Sequence, residues 1–253
     1  AATVLDFDPA SGLAALTSNQ TTIQTRDLFA QQDKITITPT GQFGGAALAP
    51  GGGSITIGLL ASITEELRRT SDGGLIRSYT GFMTGAPVYS ASFTNDGLSL
   101  IWLSRARVQI MNLASGTFGP AFEHSDFVMG IAQADSRLAT AFGAGLRLWD
   151  TTSGANLADF TTANGFFGAA LKTDTSLILG GNKSDVLIYD TASKAMVADI
   201  TKPGTLLALS PDECKLAAGS ADGAVVLLTA PAAPPATSGG SVSPPNTGDG
   251  GLK

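Results

Sequence analysis

The sequence predicts an all-β chain built from stacked four-stranded antiparallel sheets, and three observations carry that prediction. The first is a column of residues, Asp27, Arg69, Asn112, Asp150, Asp190 and Thr229, separated by 42, 43, 38, 40 and 39 positions. The second is a column running upstream in step, Ala10, Gly51, Asp96, Asp135, Asp174 and Asp212, set in turn-like segments such as SFTNDG and LSPDE. Two independent columns sharing a period of about forty residues mark an array of repeated units. Third, the chain between them alternates apolar and polar residues in short runs divided by Gly, Asn, Asp and Ser clusters, as hairpin strands do.

The unit from Phe127 to Phe160 shows the elements in order. FVMGIAQ reads as a first strand, RLATAFG as a second, GLRLWD as a third after a Gly-Ala-Gly turn, and ANLADF as a fourth after TTSG. A four-stranded sheet cannot bury both faces alone, so successive sheets must stack, and radial stacking leaves only short protected edges. TEELRRTSDGG (Thr64 to Gly74) carries a helix-like charge pattern, but its phase in the repeat makes it a third strand and turn. Ile35 to Thr64 holds no charged residue, yet Pro39, Pro50 and the Gly51-Gly52-Gly53 run break it. It reads as two buried strands around a turn and not as a membrane span.

Three features together resemble the WD repeat of β-propellers. They are the turn after a first strand, LSPDE (Leu209 to Glu213) or SFTNDG (Ser92 to Gly97), the Trp149-Asp150 pair closing a third strand, and His124 in AFEHSDFV. His124 stands where that family has Gly-His, with Glu123 in place of the Gly. The resemblance covers residues 1–229 and implies four-stranded blades, six of them visible, in a ring of six or seven. It also implies a rigid platform for protein–protein interaction. With one His in the chain, the Asp-His-Ser-Trp hydrogen-bond network of such repeats is expected to be missing from most blades. Stacked aliphatic side chains then hold neighbouring blades together.

A net charge of −6 argues against a nucleic-acid partner, because neutralising phosphates takes clustered Lys and Arg. The basic pairs, Arg68-Arg69 and Arg105 with Arg107, read as solvated strand edges. The single Cys214 forbids an internal disulfide and reads as a core filler beside its turn. Neither His-Glu-x-x-His, paired Cys nor Gly-x-Ser-x-Gly occurs, and the Gly-rich runs at Gly51 and Gly143 lack the Lys-Ser/Thr partner of a phosphate loop. DFDPASG (Asp6 to Gly12) places carboxylates at alternate positions as a calcium loop does. Thr17, however, stands where a bidentate carboxylate is required. The expectation is a non-enzymatic protein with no cofactor, no metal and no catalytic residue. Its rival is a propeller enzyme of lactonase or quinoprotein type, since WDTTSGANLADF is loosely similar to the Asp-x-x-Thr-Gly signature of the latter.

The chain opens inside a first strand and its last unit stops at VVLLT (Val225 to Thr229), one strand short. The expectation is that upstream residues supply that strand, because an open sheet edge exposes unpaired backbone groups. Residues 230–253 hold five Pro and five Gly with little apolar bulk, the composition of an extended tether. The end, PPNTGDGGLK (Pro244 to Lys253), resembles the Pro-x-Thr-Gly tails of bacterial cell-surface proteins, without the Leu before the Pro pair. That resemblance implies an extracellular, surface-displayed protein with an anchor beyond the C-terminus. The alternative is a cytoplasmic scaffold for complex assembly, with the tail as a linker.

The remaining chemistry is surface. Loops between blades, and between second and third strands, carry Phe82, Met83, Arg105, His124, Phe166 and Lys183 as candidate protein-contact residues. Exposed aromatic and sulfur side chains beside cations suit a protein interface, whereas phenylalanines tucked into the stack are core. Within that set His124 reads as a structural histidine.

Overall fold

The computed structural model describes residues 3–60, 62, 64–80, 90–162, 164–202, 204–210, 212–220 and 223–229. All its regular elements are strands, grouped into six antiparallel sheets. Sheet one contains β1 (Thr3–Asp8), β2 (Leu13–Thr17), β3 (Ile23–Asp27) and β4 (Gln32–Ile37). Sheet two contains β5 (Phe43–Leu48), β6 (Ser54–Leu59), β7 (Thr64–Arg69) and β8 (Leu75–Thr80). Sheet three contains β9 (Ser90–Phe93), β10 (Ser99–Ser104), β11 (Arg107–Asn112) and β12 (Phe118–Glu123). Sheet four contains β13 (Val128–Ala134), β14 (Arg137–Phe142), β15 (Gly145–Asp150) and β16 (Asn156–Thr161). Sheet five contains β17 (Gly168–Leu171), β18 (Leu177–Gly181), β19 (Val186–Asp190) and β20 (Met196–Ile200). Sheet six has three strands among the described residues, β21 (Leu206–Leu209), β22 (Lys215–Gly219) and β23 (Val225–Thr229).

Both sequence columns land on one structural position per sheet. Asp27, Arg69, Asn112, Asp150, Asp190 and Thr229 each end a third strand, and the upstream column sits in each turn between first and second strands. The physical reason is local. Asp150 Oδ1 accepts the amides of Ser153 at 2.8 Å and Thr152 at 3.1 Å, and Asp190 Oδ1 accepts that of Ser193 at 2.7 Å. Asn112 Oδ1 does the same for Ser115, at 2.9 Å. In the other column Asp96, Asp174 and Asp212 accept the amide two residues ahead, from Leu98, Ser176 and Cys214. These are side-chain-capped turns, and the repeat is strongest at the column positions where an Asp or Asn makes such a cap.

First strands pack on first strands: β1 on β5, β5 on β9, β13 on β17 and β17 on β21. Hydrogen bonds bridge the same end of successive sheets. Leu48 N donates to Asp6 Oδ2 at 2.7 Å, Asn95 N to Gln133 Oε1 at 3.0 Å, and Thr173 N to the Glu213 carboxylate. The first strands are therefore innermost and the sheets radiate from them. Between the sheets lie five apolar layers, such as Ile23, Phe43, Ile55 and Ile57 between sheets one and two. Leu67, Leu100, Trp102 and Met111 fill the next, and Leu146, Phe160, Ile178 and Tyr189 fill that between sheets four and five. Burying each such side chain contributes about 1.5–3 kcal/mol, so stacking dominates the stability.

Two expectations need correction. Cys214 is exposed, because Asp212 holds its amide in a surface turn, and it fills no core. Arg68 is no solvated edge, for its Nε lies 2.7 Å from Glu66 Oε2 and the pair is largely buried. Sheet four carries a polar network built on the single His of the chain. Neutral His124 Nε2 lies 2.8 Å from Thr140 Oγ1, which in turn accepts the Trp149 indole N–H at 3.0 Å. The tether expected over residues 230–253 lies outside the described residues.

Candidate protein-contact face

The two ends of the sheets differ in chemistry. At one end are the capped turns, with Asp8, Asp27, Asp96, Asp150, Asp174, Asp190 and Asp212 committed to backbone amides. Those bonds hold the carboxyls of Asp190 and Asp212 below the ordinary range, led in each case by the Ser193 or Ser210 hydroxyl. At the other end run the connections between sheets and the turns between second and third strands. Each described connection is stitched to the preceding sheet's turn: Phe43 N to Gln20 O at 3.0 Å, Val128 N to Arg105 O at 2.8 Å, Phe166 N to Phe142 O at 3.1 Å and Gly204 N to Asn182 O at 2.8 Å. This connection face is thus held by backbone bonds and presents side chains from a fixed frame.

Exposed apolar groups on this face include Leu206 and Val225 of sheet six, and on sheets three to five they lie beside cations. Arg105, in the turn between β10 and β11, lies with its guanidinium carbon 5.9 Å from the centroid of Phe127. Phe127 is 48% exposed and Met129 47%. Lys183, in the turn between β18 and β19, lies 5.5 Å from the ring centroid of Phe167 in the connection entering sheet five. Neither Arg105 nor Lys183 has a carboxylate partner within ion-pair distance among the described residues. A cation over an aromatic face, with its charge uncompensated, is a ready contact for a partner.

The expected site residues divide. Arg105 and Lys183 are exposed on this face. Phe166 is 1% exposed and packs edge-on to Tyr189 at 6.5 Å, so it is core and no contact residue. Its neighbour Phe167 takes the surface position. His124 is half-buried against Phe142 and Trp149, at 5.1 and 5.3 Å between centroids. Burial, and then the charge of Arg147, push its imidazole down to about 4. It is neutral, with Nδ1 placed 3.2 Å from Phe122 O, and it serves the structure. Phe82 and Met83 lie outside the described residues. The sequence reading missed Phe127, Met129 and Phe167, whose only signal was a place in connections flanking cations.

No known protein family matches the sequence, and no curated protein does so. Solved structures do. One chain in the crystal structure of a mitotic checkpoint complex superposes with a TM-score of 0.74 at 16% identity, over 88% of this chain and 72% of that one. The fold is a β-propeller. Its sheets are blades, and the face described above is the one that carries the blade-to-blade connections. Among the described residues no helix is long and apolar enough to cross a membrane, and no cluster of His, Cys, Asp and Glu could hold a metal ion.

Proposed function

We propose that this protein is a WD-repeat-like β-propeller acting as a non-catalytic binding platform for another protein, through the connection face of blades three to five. The observation that carries the reading is the pairing of uncompensated Arg105 and Lys183 with Phe127 and Phe167, beside exposed Met129, on a backbone-stitched frame. Large apolar side chains beside Arg are the groups that anchor protein interfaces. A propeller-like chain within a mitotic checkpoint complex supports the general role of such folds in assemblies, though a fold hosts many functions. The platform is displayed outside a bacterial cell on the residue 230–253 tether, a location supported by the Pro-x-Thr-Gly-like end of the chain.

The test is site-specific photo-cross-linking in cells that make the protein. Benzophenone groups at Phe127 and Phe167 are expected to capture a discrete protein, whereas the same group at Asp190 or Asp212, on the capped-turn face, captures none. Cross-links confined to the capped-turn face would sink the proposal. Protease treatment of intact cells is expected to release the propeller, and protection until lysis would overturn the surface location.

A further inference from the structure

Given the platform reading above, on which this step rests, we infer that a pocket on the connection face of blade five seats a carboxylate side chain of the bound protein. The pocket has a volume of about 270 Å³ and is lined by Asn164, Phe167, Asn182, Lys183 and Ser184, none of them acidic. Asn182 is 1% exposed. Its Oδ1 accepts the amides of Ser184 and Asp185, both at 2.8 Å, which turns its NH2 group the other way. That Nδ2 has no acceptor among the described residues. Buried amide donors are almost always paired, so this one marks a place where an oxygen belongs.

The other groups agree with that reading. The Lys183 ammonium rests over the Phe167 ring with no carboxylate in reach, and Asp185, later in the same turn, is not among the lining residues. Ser184 and Asn164 add a hydroxyl and an amide. A carboxylate brings one negative charge for one ammonium and acceptor-only oxygens for a donor-rich wall. A phosphate, with about two charges, asks for more cations than one lysine supplies.

The pocket is also preformed. Phe167 N donates to Gly181 O at 2.8 Å, Asn182 N to Asp185 O at 2.9 Å, and Gly204 N to Asn182 O at 2.8 Å. Gly165, at φ 60°, packs so closely that a Cβ there would lie 2.3 Å from Gly143 O. Connection and turn therefore meet in one arrangement.

The experiment is an NMR titration of the whole chain with N-acetylated, C-amidated tetraglutamate, with the tetraglutamine analogue and inorganic phosphate as controls. The glutamate peptide is expected to shift the Asn182 side-chain amide and to bind at least ten-fold tighter than either control. Lys183→Gln, on an exposed side chain, should weaken it at least five-fold without moving the melting temperature, and Lys194→Gln, on an exposed side chain at the capped-turn end of the same blade, should not. Equal binding of the glutamine peptide, tighter binding of phosphate, or indifference to Lys183→Gln would each overturn the assignment. If cross-links at Phe127 persist through such a failure, the platform reading stands and the pocket assignment alone falls. Cross-links only from the capped-turn face remove the platform reading whatever the peptide does.

Discussion

His124 Nε2 sits 2.8 Å from Thr140 Oγ1, a bond that joins the exit of blade three to the second strand of blade four. The same oxygen lies 3.0 Å from the Trp149 indole nitrogen and 3.3 Å from Arg147 O. Trp149 donates to Thr140, and the tautomer of neutral His124 sets the rest: with the proton on Nδ1, Nε2 accepts the Thr140 hydroxyl, and with it on Nε2, His124 donates to Thr140, whose hydroxyl then donates to Arg147 O. Thr140→Val keeps the shape but strands the indole N–H and the imidazole in a buried layer, at a cost of about 1–3 kcal/mol. Thr140→Ser should recover most of that loss. Urea midpoints followed by tryptophan fluorescence decide the matter, and equal midpoints for Val and wild type would remove the network from the stability account.

Two buried titrations should tilt stability in opposite directions with pH. For His124 the folded value, about 4, lies below the ordinary 6.5, so the unfolded chain binds the proton more readily. Its contribution is complete above pH 6.5 and is lost as pH falls through about 4. His124→Gln is expected to flatten that acid limb. A variant that keeps the wild-type slope between pH 6.5 and 4 would assign it to other groups.

Glu65 runs the other way. It stands on β7 opposite Gly58 and Tyr79, sharing a face with Leu67, which packs toward Trp102. Thr56 donates to Oε1, while Oε2 has no partner among the described residues. Burial pushes its carboxyl up to about 8 from the usual 4.5, so the folded chain holds the proton. The stabilisation is complete below pH 4.5 and is lost as pH rises through about 8. Glu65→Gln should therefore level the urea midpoint across that window, and at pH 8 the variant should be the more stable protein. A wild-type midpoint that does not fall from pH 5 to pH 8 contradicts this.

The capped turns predict a repeated energetic signature. Asp190 Oδ1 accepts both the amide and the hydroxyl of Ser193, at 2.7 and 2.6 Å. Asp190→Ala removes both bonds at an exposed turn and is expected to lower the denaturation midpoint modestly. Asp150→Ala, at the matching place in blade four, should cost a similar amount and additionally lose the ion pair with Arg137. Chemical denaturation of the single variants checks this. A neutral outcome at both sites would mean that the aspartate column recurs for some reason other than turn stability.

Those turns also explain what was legible in the sequence. A cap acts over two or three residues, so its signal is local and repeats with the blade, and both columns fell on their structural positions. The pairing of Arg68 with Glu66 was equally local, since residues two apart on a strand share a face, yet the sequence reading placed Arg68 at a solvated edge. Exposure in the connections was not legible. Phe166 and Phe167 are adjacent and chemically identical, and only the backbone bonds of Phe166 N to Phe142 O and Phe167 N to Gly181 O decide which ring turns inward. The blade-five pocket joins Asn164 to Asn182 across two loops, and no spacing rule relates them.

That neighbouring pair of fates gives the sharpest separation of fold from contact. Phe166 fills the layer between blades four and five, so Phe166→Ala leaves a cavity and should cost about 3–5 kcal/mol. Phe127 is half-exposed beneath Arg105, so Phe127→Ser should stay within about 0.5 kcal/mol of wild type. On the platform reading the order inverts for binding: Phe127→Ser loses partner cross-linking from Phe167 while its melting curve is unchanged. Phe166→Ala loses cross-linking only in step with its unfolding. Melting temperature plotted against cross-link yield therefore places the two variants on different lines if Phe127 is a contact. If both fall on one line, binding follows stability alone and Phe127 has no contact role.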